Sequence, residues 1–157
     1  MNPNDQIGEP GYDQDFYAWL VHNARLLREG RLSAVDAAHV AEELEDMGKS
    51  QKRALASHLR VLLIHLLKWR YQPDRRGPSW RVSIRTARDR IEAILADSPS
   101  LKRLPEELYA QEYAKARKYA ADETGLPLAT FPEDEPFNLA EALSEDYLPQ
   151  SDQHWAP

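Results

Sequence analysis

A basic segment, residues 68–90, carries the residue types best suited to binding an anion. It holds eight lysines and arginines against two aspartates, a net charge of +6, whereas the whole chain carries −6. Arg81, Arg85 and Arg88 follow one another at i, i+4 and i+7, so a helix would present them on one face. Guanidiniums bind phosphate and carboxylate oxygens, and a helix N-terminus adds free backbone amides. The predicted anion-binding residues are Arg75, Arg76, Ser79, Trp80, Arg81, Arg85 and Arg88.

Two alternatives compete with an anion site in this segment. The arginines could pair internally with acidic residues of the second predicted helix, five of which lie within eleven positions: Asp36, Glu42, Glu43, Glu45 and Asp46. They could instead form a surface for a partner protein. We expect a mixture, in which Arg88 is buried and paired while Arg75, Arg76, Arg81 and Arg85 are at least partly exposed.

Two histidines and two carboxylates form a second candidate site. His58 and His65 are seven positions apart, as are Asp36 and Glu43. If the chain turns back at Gly48, the two helices would form a hairpin in which these four side chains alternate along one seam. Two imidazoles with two carboxylates are suited to binding a divalent metal. Their spacing matches no known metal signature. The alternative is a buried His65 held by one carboxylate or carbonyl, with His58 at the rim.

The motifs of common enzyme classes are missing from the chain. There is no Gly-x-Ser-x-Gly elbow, no Walker loop and no His-Glu-x-x-His helix. Ser79 has no evident base beside it. The sequence therefore favours a binding protein over an enzyme, and it predicts no catalytic residue and no cofactor.

The composition of the chain limits the classes of protein it can be. Its 157 residues are 42% hydrophobic and 29% charged, which is typical of a globular domain. With no cysteine, the chain forms no disulfide, zinc–thiolate site or iron–sulfur cluster, and it is compatible with a reducing cytoplasm. The longest apolar run, residues 61–67, is far shorter than the roughly 18–20 residues that a bilayer requires. No secretion signal is recognisable in residues 1–10.

Hydrophobic periodicity predicts an all-α fold of five main helices. The expected ranges are residues 13–29, 33–47, 50–71 and 80–97, with a fifth helix that begins at residue 101 or 105 and ends at residue 123. The third helix is predicted to be central and buried, because its apolar residues repeat at intervals of 4, 3, 4 and 3: Leu55, Leu59, Leu62, Leu66 and Trp69. Asp13 and Ser79 are expected to cap the first and fourth helices, and Gly48 is expected to end the second.

The final part of the chain differs in character. Five of the eleven prolines follow Gly125. We predict a compact helical domain over residues 12–125 and a Pro-rich arm over residues 126–150 that packs on it. This arm would be docked by Phe131, Phe137, Leu143 and Tyr147. Residues 1–11 are expected to be flexible and residues 151–157 to form a loose tail.

Several short motifs occur in a recognisable order. They are Ala41 to Gly48 (AEELEDMG), His65 to Trp69 (HLLKW), Tyr71-Gln72-Pro73, Ser79-Trp80, Asp97 to Leu101 (DSPSL) and Ala120 to Leu126 (AADETGL). With them, the chain resembles the bacterial family called "domain of unknown function twenty-nine" over residues 12–149. The family tends to have a bulky residue where this chain has Ala37. The resemblance implies a compact all-helical fold and a bacterial, cytoplasmic protein, and it implies no activity.

The sequence thus predicts a binding module whose basic segment engages an anionic partner, namely a nucleic acid, a nucleotide or an acidic protein surface. One alternative is a metal-dependent enzyme with Asp36, Glu43, His58 and His65 as ligands. The other is a structural adaptor whose charges are paired internally. The sequence does not determine the oligomeric state or the ligand.

Overall fold

The computed structural model describes residues 8–150, and their regular structure is entirely helical. The helices are α1 (Phe16–Arg28), α2 (Ala37–Tyr71), α3 (Pro78–Asp97), α4 (Leu104–Thr124) and α5 (Leu139–Leu143). This confirms the all-α fold class. None of these helices is long and apolar enough to cross a membrane, as far as the described residues go. The tail predicted at residues 151–157, and most of the flexible start, lie outside the described residues.

The second and third predicted helices are one continuous helix, so the predicted turn at Gly48 is wrong. α2 runs for 35 residues through this glycine. Glycine permits a left-handed turn but does not require one, and it costs a helix interior only about 0.5–1 kcal/mol. No proline or local cap interrupts the helix-forming residues on either side. Positive φ angles occur instead at Gly30 (68°) and Gly125 (72°), after the ends of α1 and α4.

The chain divides into two compact units at Lys49, within α2. The first unit contains α1, a short 3₁₀ turn and the beginning of α2. Asp15 caps α1 by accepting a hydrogen bond from the amide of Ala18 at 2.9 Å, two residues beyond the predicted cap Asp13. The buried residues of α1 are Trp19, Asn23 and Leu26.

The second unit, from Ser50 onward, surrounds the C-terminal part of α2. The predicted apolar stripe is confirmed, because Leu55, Leu59, Leu62 and Leu66 are 0% exposed. α3 and α4 contribute to the same core with apolar side chains that include Ile84, Ile91, Tyr113 and Ala116. Between Leu62 and Trp69, α2 is apolar around most of its circumference, and such a segment is stable only when it is enclosed.

The segment after Gly125 packs on this core. Phe131 is 0% exposed and Phe137 is 2% exposed. Tyr113 and Arg117 of α4 donate hydrogen bonds to the carbonyls of Pro132 and Phe131. A capping box on Asn138 then starts α5. The arm is therefore held by buried aromatic rings and by donors from α4 to its backbone.

Replacing Gly48 by alanine should stabilise the protein by about 0.5–1 kcal/mol. The residue is helical, and nothing lies within 4 Å of the added Cβ. Gly30→Ala is the matched control, because the positive φ of Gly30 makes a side chain strained and the change destabilising. Urea unfolding midpoints of the two variants check this. A turn at residue 48 would make Gly48→Ala destabilising as well.

Leu62→Ala should lower the free energy of unfolding by about 2–5 kcal/mol, because it removes buried apolar surface and leaves a cavity. The adjacent Val61 is 37% exposed, so Val61→Ala should cost much less. The comparison uses urea midpoints of both variants. Equal costs would show that α2 is not central to the core.

Candidate functional site

The basic segment occupies the end of α2, a short loop and the start of α3. The N-cap of α3 is Gly77, and Pro78 takes the first helical position. The prediction that Ser79 caps α3 is therefore wrong. Proline suits that position because its φ is already helical and it needs no hydrogen-bond acceptor. No side chain caps this end. The amides of the first turn therefore remain available to an anion.

Two guanidiniums lie against one tryptophan near this helix end. The guanidinium carbons of Arg76 and Arg81 are 5.3 Å and 5.2 Å from the centroid of the Trp69 ring. Arg76 also donates from Nε to the carbonyl of Trp69 at 2.7 Å, and its Nη2 is buried without a hydrogen-bond partner among the described residues. The buried Trp69 ring thus has two guanidiniums beside it, which raises the local positive potential.

The second tryptophan of the segment is also occupied. The Lys68 ammonium lies 4.9 Å from the centroid of the half-buried Trp80 ring and pairs with Glu123 at 2.9 Å. Trp69 is only 6% exposed. These rings therefore position cations and do not offer open platforms on which a nucleic-acid base could stack.

The remaining cations of the segment are on the surface. Arg75, Arg81 and Arg85 are exposed, as is the side chain of Ser79. Across residues 8–150, none of the ion pairs involves Arg75, Arg76, Arg81 or Arg85. Internal pairing with carboxylates, the alternative that the sequence left open, does not occupy these four arginines.

Arg88 is buried, as expected, but its partners are not carboxylates. It is 8% exposed. Its guanidinium donates three hydrogen bonds of 2.7–3.0 Å to backbone carbonyls of the arm, those of Ala142, Glu145 and Tyr147. These donors hold the arm, so the structure gives Arg88 a structural role.

The predicted metal ligands have separate surroundings. Asp36 and Glu43 lie at the start of α2, whereas His58 and His65 come later in the same helix, and the turn that would bring them together is absent. His65 is half-buried, and its Nδ1 bonds to the carbonyl of Val61 at 2.8 Å, which agrees with the carbonyl contact of the alternative interpretation. Among the described residues, no group of three or more histidines and carboxylates is placed to hold a metal.

Asp36 instead belongs to a polar cluster that joins α1 to α2. Its carboxylate accepts hydrogen bonds from Trp19 Nε1 at 3.0 Å and from His39 Nδ1 at 2.7 Å. Its amide donates to the side chain of Asn23 at 2.9 Å. The hydrogen bond to Asp36 raises the pKa of His39 above its ordinary 6.5, and the same bond lowers the pKa of Asp36 below 3.8.

Glu43 lies in the same cluster through Tyr12. The Tyr12 hydroxyl donates to the Glu43 carboxylate, which raises the pKa of Tyr12 to about 12. Its ring stacks on His39 with centroids 4.1 Å apart. Sequence reasoning missed Tyr12, Trp19, Asn23 and His39 as members of a site. The one available signal was the i, i+3 pair of Asp36 and His39 at a helix start.

The comparison with protein families agrees with the motifs in the chain. A family model described as "Domain of unknown function DUF29" matches residues 12–148. The chain belongs to this family. No curated protein and no solved structure matches the chain. The DUF29 match includes both the basic segment and the polar cluster, and it confirms the resemblance without assigning a ligand or a reaction.

Arg88→Ala should lower the free energy of unfolding by about 2–5 kcal/mol, because three carbonyls of the arm lose a charged donor. Arg85→Ala, one turn earlier and exposed, should change it little. Urea unfolding gives the stability, and limited proteolysis reports whether residues 139–150 are released. An arm that stays protected in Arg88→Ala would contradict this role.

NMR titration should place the pKa of His39 above 6.5 and those of His58 and His65 below it. Burial lowers the pKa of His58 and of His65. In Asp36→Asn, the pKa of His39 should return toward 6.5. Because folding raises the pKa of His39, its contact with Asp36 stabilises the fold fully below pH 6.5. This stabilisation is lost as the pH rises through the pKa of His39 in the folded protein. An unchanged pKa in Asp36→Asn would refute the contact.

Proposed function

We propose that this DUF29 protein is a binding module whose basic surface engages an anionic partner. The basic surface is made of Arg75, Arg76, Ser79, Trp80, Arg81 and Arg85. The observation that carries the proposal is the pair of guanidiniums, Arg76 and Arg81, held over Trp69 with no carboxylate partner among the described residues. The bacterial cytoplasm is our expectation for where this binding takes place.

The uncapped start of α3 supports the same proposal. Free amides at a helix N-terminus favour negative charge, and guanidiniums beside them supply directed donors. Exposed Arg81 and Arg85 extend the positive surface along one face of α3.

Among the anionic partners, the geometry favours an acidic stretch of another protein. Single-stranded nucleic acids are bound largely by bases that stack on open aromatic rings. Here one ring is buried and the other lies under Lys68. Outside residues 68–90, the chain carries a net charge of −12, which repels a long polyanion more than a short acidic segment.

Replacing Arg75, Arg81 and Arg85 by glutamine should weaken binding of labelled poly-glutamate by about tenfold or more, because directed charge contacts are lost. Fluorescence anisotropy at rising salt measures this, and affinity should fall steeply as screening increases. The thermal melt should be nearly unchanged, since exposed charges contribute little to stability.

The matched control replaces Arg53, Arg103 and Lys118 by glutamine, which removes the same charge from exposed positions elsewhere. This variant should retain binding. Equal loss in both variants would show nonspecific attraction and would overturn the site. Tighter binding of a labelled single-stranded oligonucleotide than of poly-glutamate would make nucleic acid the partner and would overturn the acidic-protein assignment.

A further inference from the structure

A carboxylate already lies at the edge of the basic surface. The Nζ of Lys68 is 2.9 Å from the Oε2 of Glu123 and 4.9 Å from the centroid of the Trp80 ring. Lys68 lies in the last turn of α2, Trp80 in the first turn of α3 and Glu123 in the last turn of α4. Three helices therefore meet at one ion pair, and this pair contacts a residue of the basic surface.

The two partners of this ion pair differ in exposure. The Lys68 side chain is 12% exposed, whereas that of Glu123 is 43% exposed. The Glu123 carboxylate can leave Lys68 for water at a small cost, because an ion pair with an exposed partner contributes little net stability. Lys68 has a second attraction, since its ammonium lies over the Trp80 ring. Glu123 is therefore the partner that can be replaced, while Lys68 stays beside the ring.

Lys68 differs from the four arginines of the basic surface, which have no carboxylate partner across residues 8–150. Its positive charge, by contrast, is offset by Glu123. A carboxylate at this place lowers the local positive potential. It also occupies a charged donor that a carboxylate of an acidic partner can use. Glu123 thus has the chemistry and the position of an acidic partner's side chain.

We propose that Glu123 is an internal competitor of the acidic partner. On binding, a carboxylate of the partner displaces Glu123 and pairs with Lys68 over the Trp80 ring. This exchange replaces one charge-assisted hydrogen bond by another, so it costs little. The inference rests on the proposed function: it adds Lys68 to the residues that bind the acidic partner and makes Glu123 the residue that limits the affinity.

A purely structural role for the pair predicts a different result. The last turn of α4 contains no basic residue, and a cation near the C-terminus of a helix offsets the negative end of its dipole. If Lys68 served only to stabilise α4 in this way, replacing Glu123 would change the thermal melt and leave the affinity for an acidic segment unchanged. Measurements of affinity and of stability on the same variants therefore separate the two roles.

Fluorescence anisotropy of labelled poly-glutamate, measured with the full chain at one fixed salt concentration, tests the proposal. Glu123→Gln should tighten binding by about two- to fivefold, because the partner no longer has to displace a carboxylate. Asp122→Asn is the matched control, since Asp122 is exposed one position earlier on α4 and takes part in none of the ion pairs within the described residues. This variant removes the same charge and should tighten binding by less than about twofold, because salt screens a charge that makes no contact.

Lys68→Met tests whether the gain in affinity is local. It removes the ammonium and keeps an apolar stem of similar length. In this background Glu123→Gln should tighten binding no further, because no cation is left to release. Thermal melts check that every variant is folded.

The inference alone is overturned if Glu123→Gln binds no more tightly than the wild-type chain or than Asp122→Asn. A gain that persists without the Lys68 ammonium overturns it as well, because the effect would then be long-range repulsion. If neither the wild-type chain nor Glu123→Gln binds poly-glutamate, the proposed function fails together with this inference.

Discussion

Enclosure of the C-terminal half of α2 is the constraint on which the second unit depends. Leu55, Leu59, Leu62, Leu66 and Leu67 are all 0% exposed. Each fully buried leucine contributes about 1.5–3 kcal/mol, a large fraction of the net stability of a small domain. Helices α3 and α4 and the C-terminal arm are arranged as the layers that cover this apolar surface.

The same constraint separates the roles of arginines that look equivalent in the sequence. α3 turns Ile84 and Ile91 toward the core, and Arg88 lies between them on the buried side. Its donors are then used by the carbonyls of the arm. Arg81 and Arg85 share the helix face of Arg88 but are exposed. The packing of the arm on Arg88, and not the helix period, gives this one arginine a structural role.

Different interactions stabilise each of the two units. In the second unit, buried apolar side chains dominate. In the first unit, the contacts that join α1 to the start of α2 include hydrogen bonds from Trp19 to Asp36 and from Asp36 to Asn23, and the Tyr12 ring stacks on His39. Polar contacts at a partly exposed site contribute little net stability.

The sequence alone determined the helical fold, the buried stripe of α2 and the end of α4 at Gly125. These follow from periodicity and caps, which depend on neighbouring residues. It did not determine whether Gly48 is a turn, because glycine is compatible with a turn and with a helix. The partners of Arg88 lie 54–59 positions away, and Tyr12 lies 31 positions from Glu43. Such contacts depend on how the elements pack, so only the tertiary structure decided them.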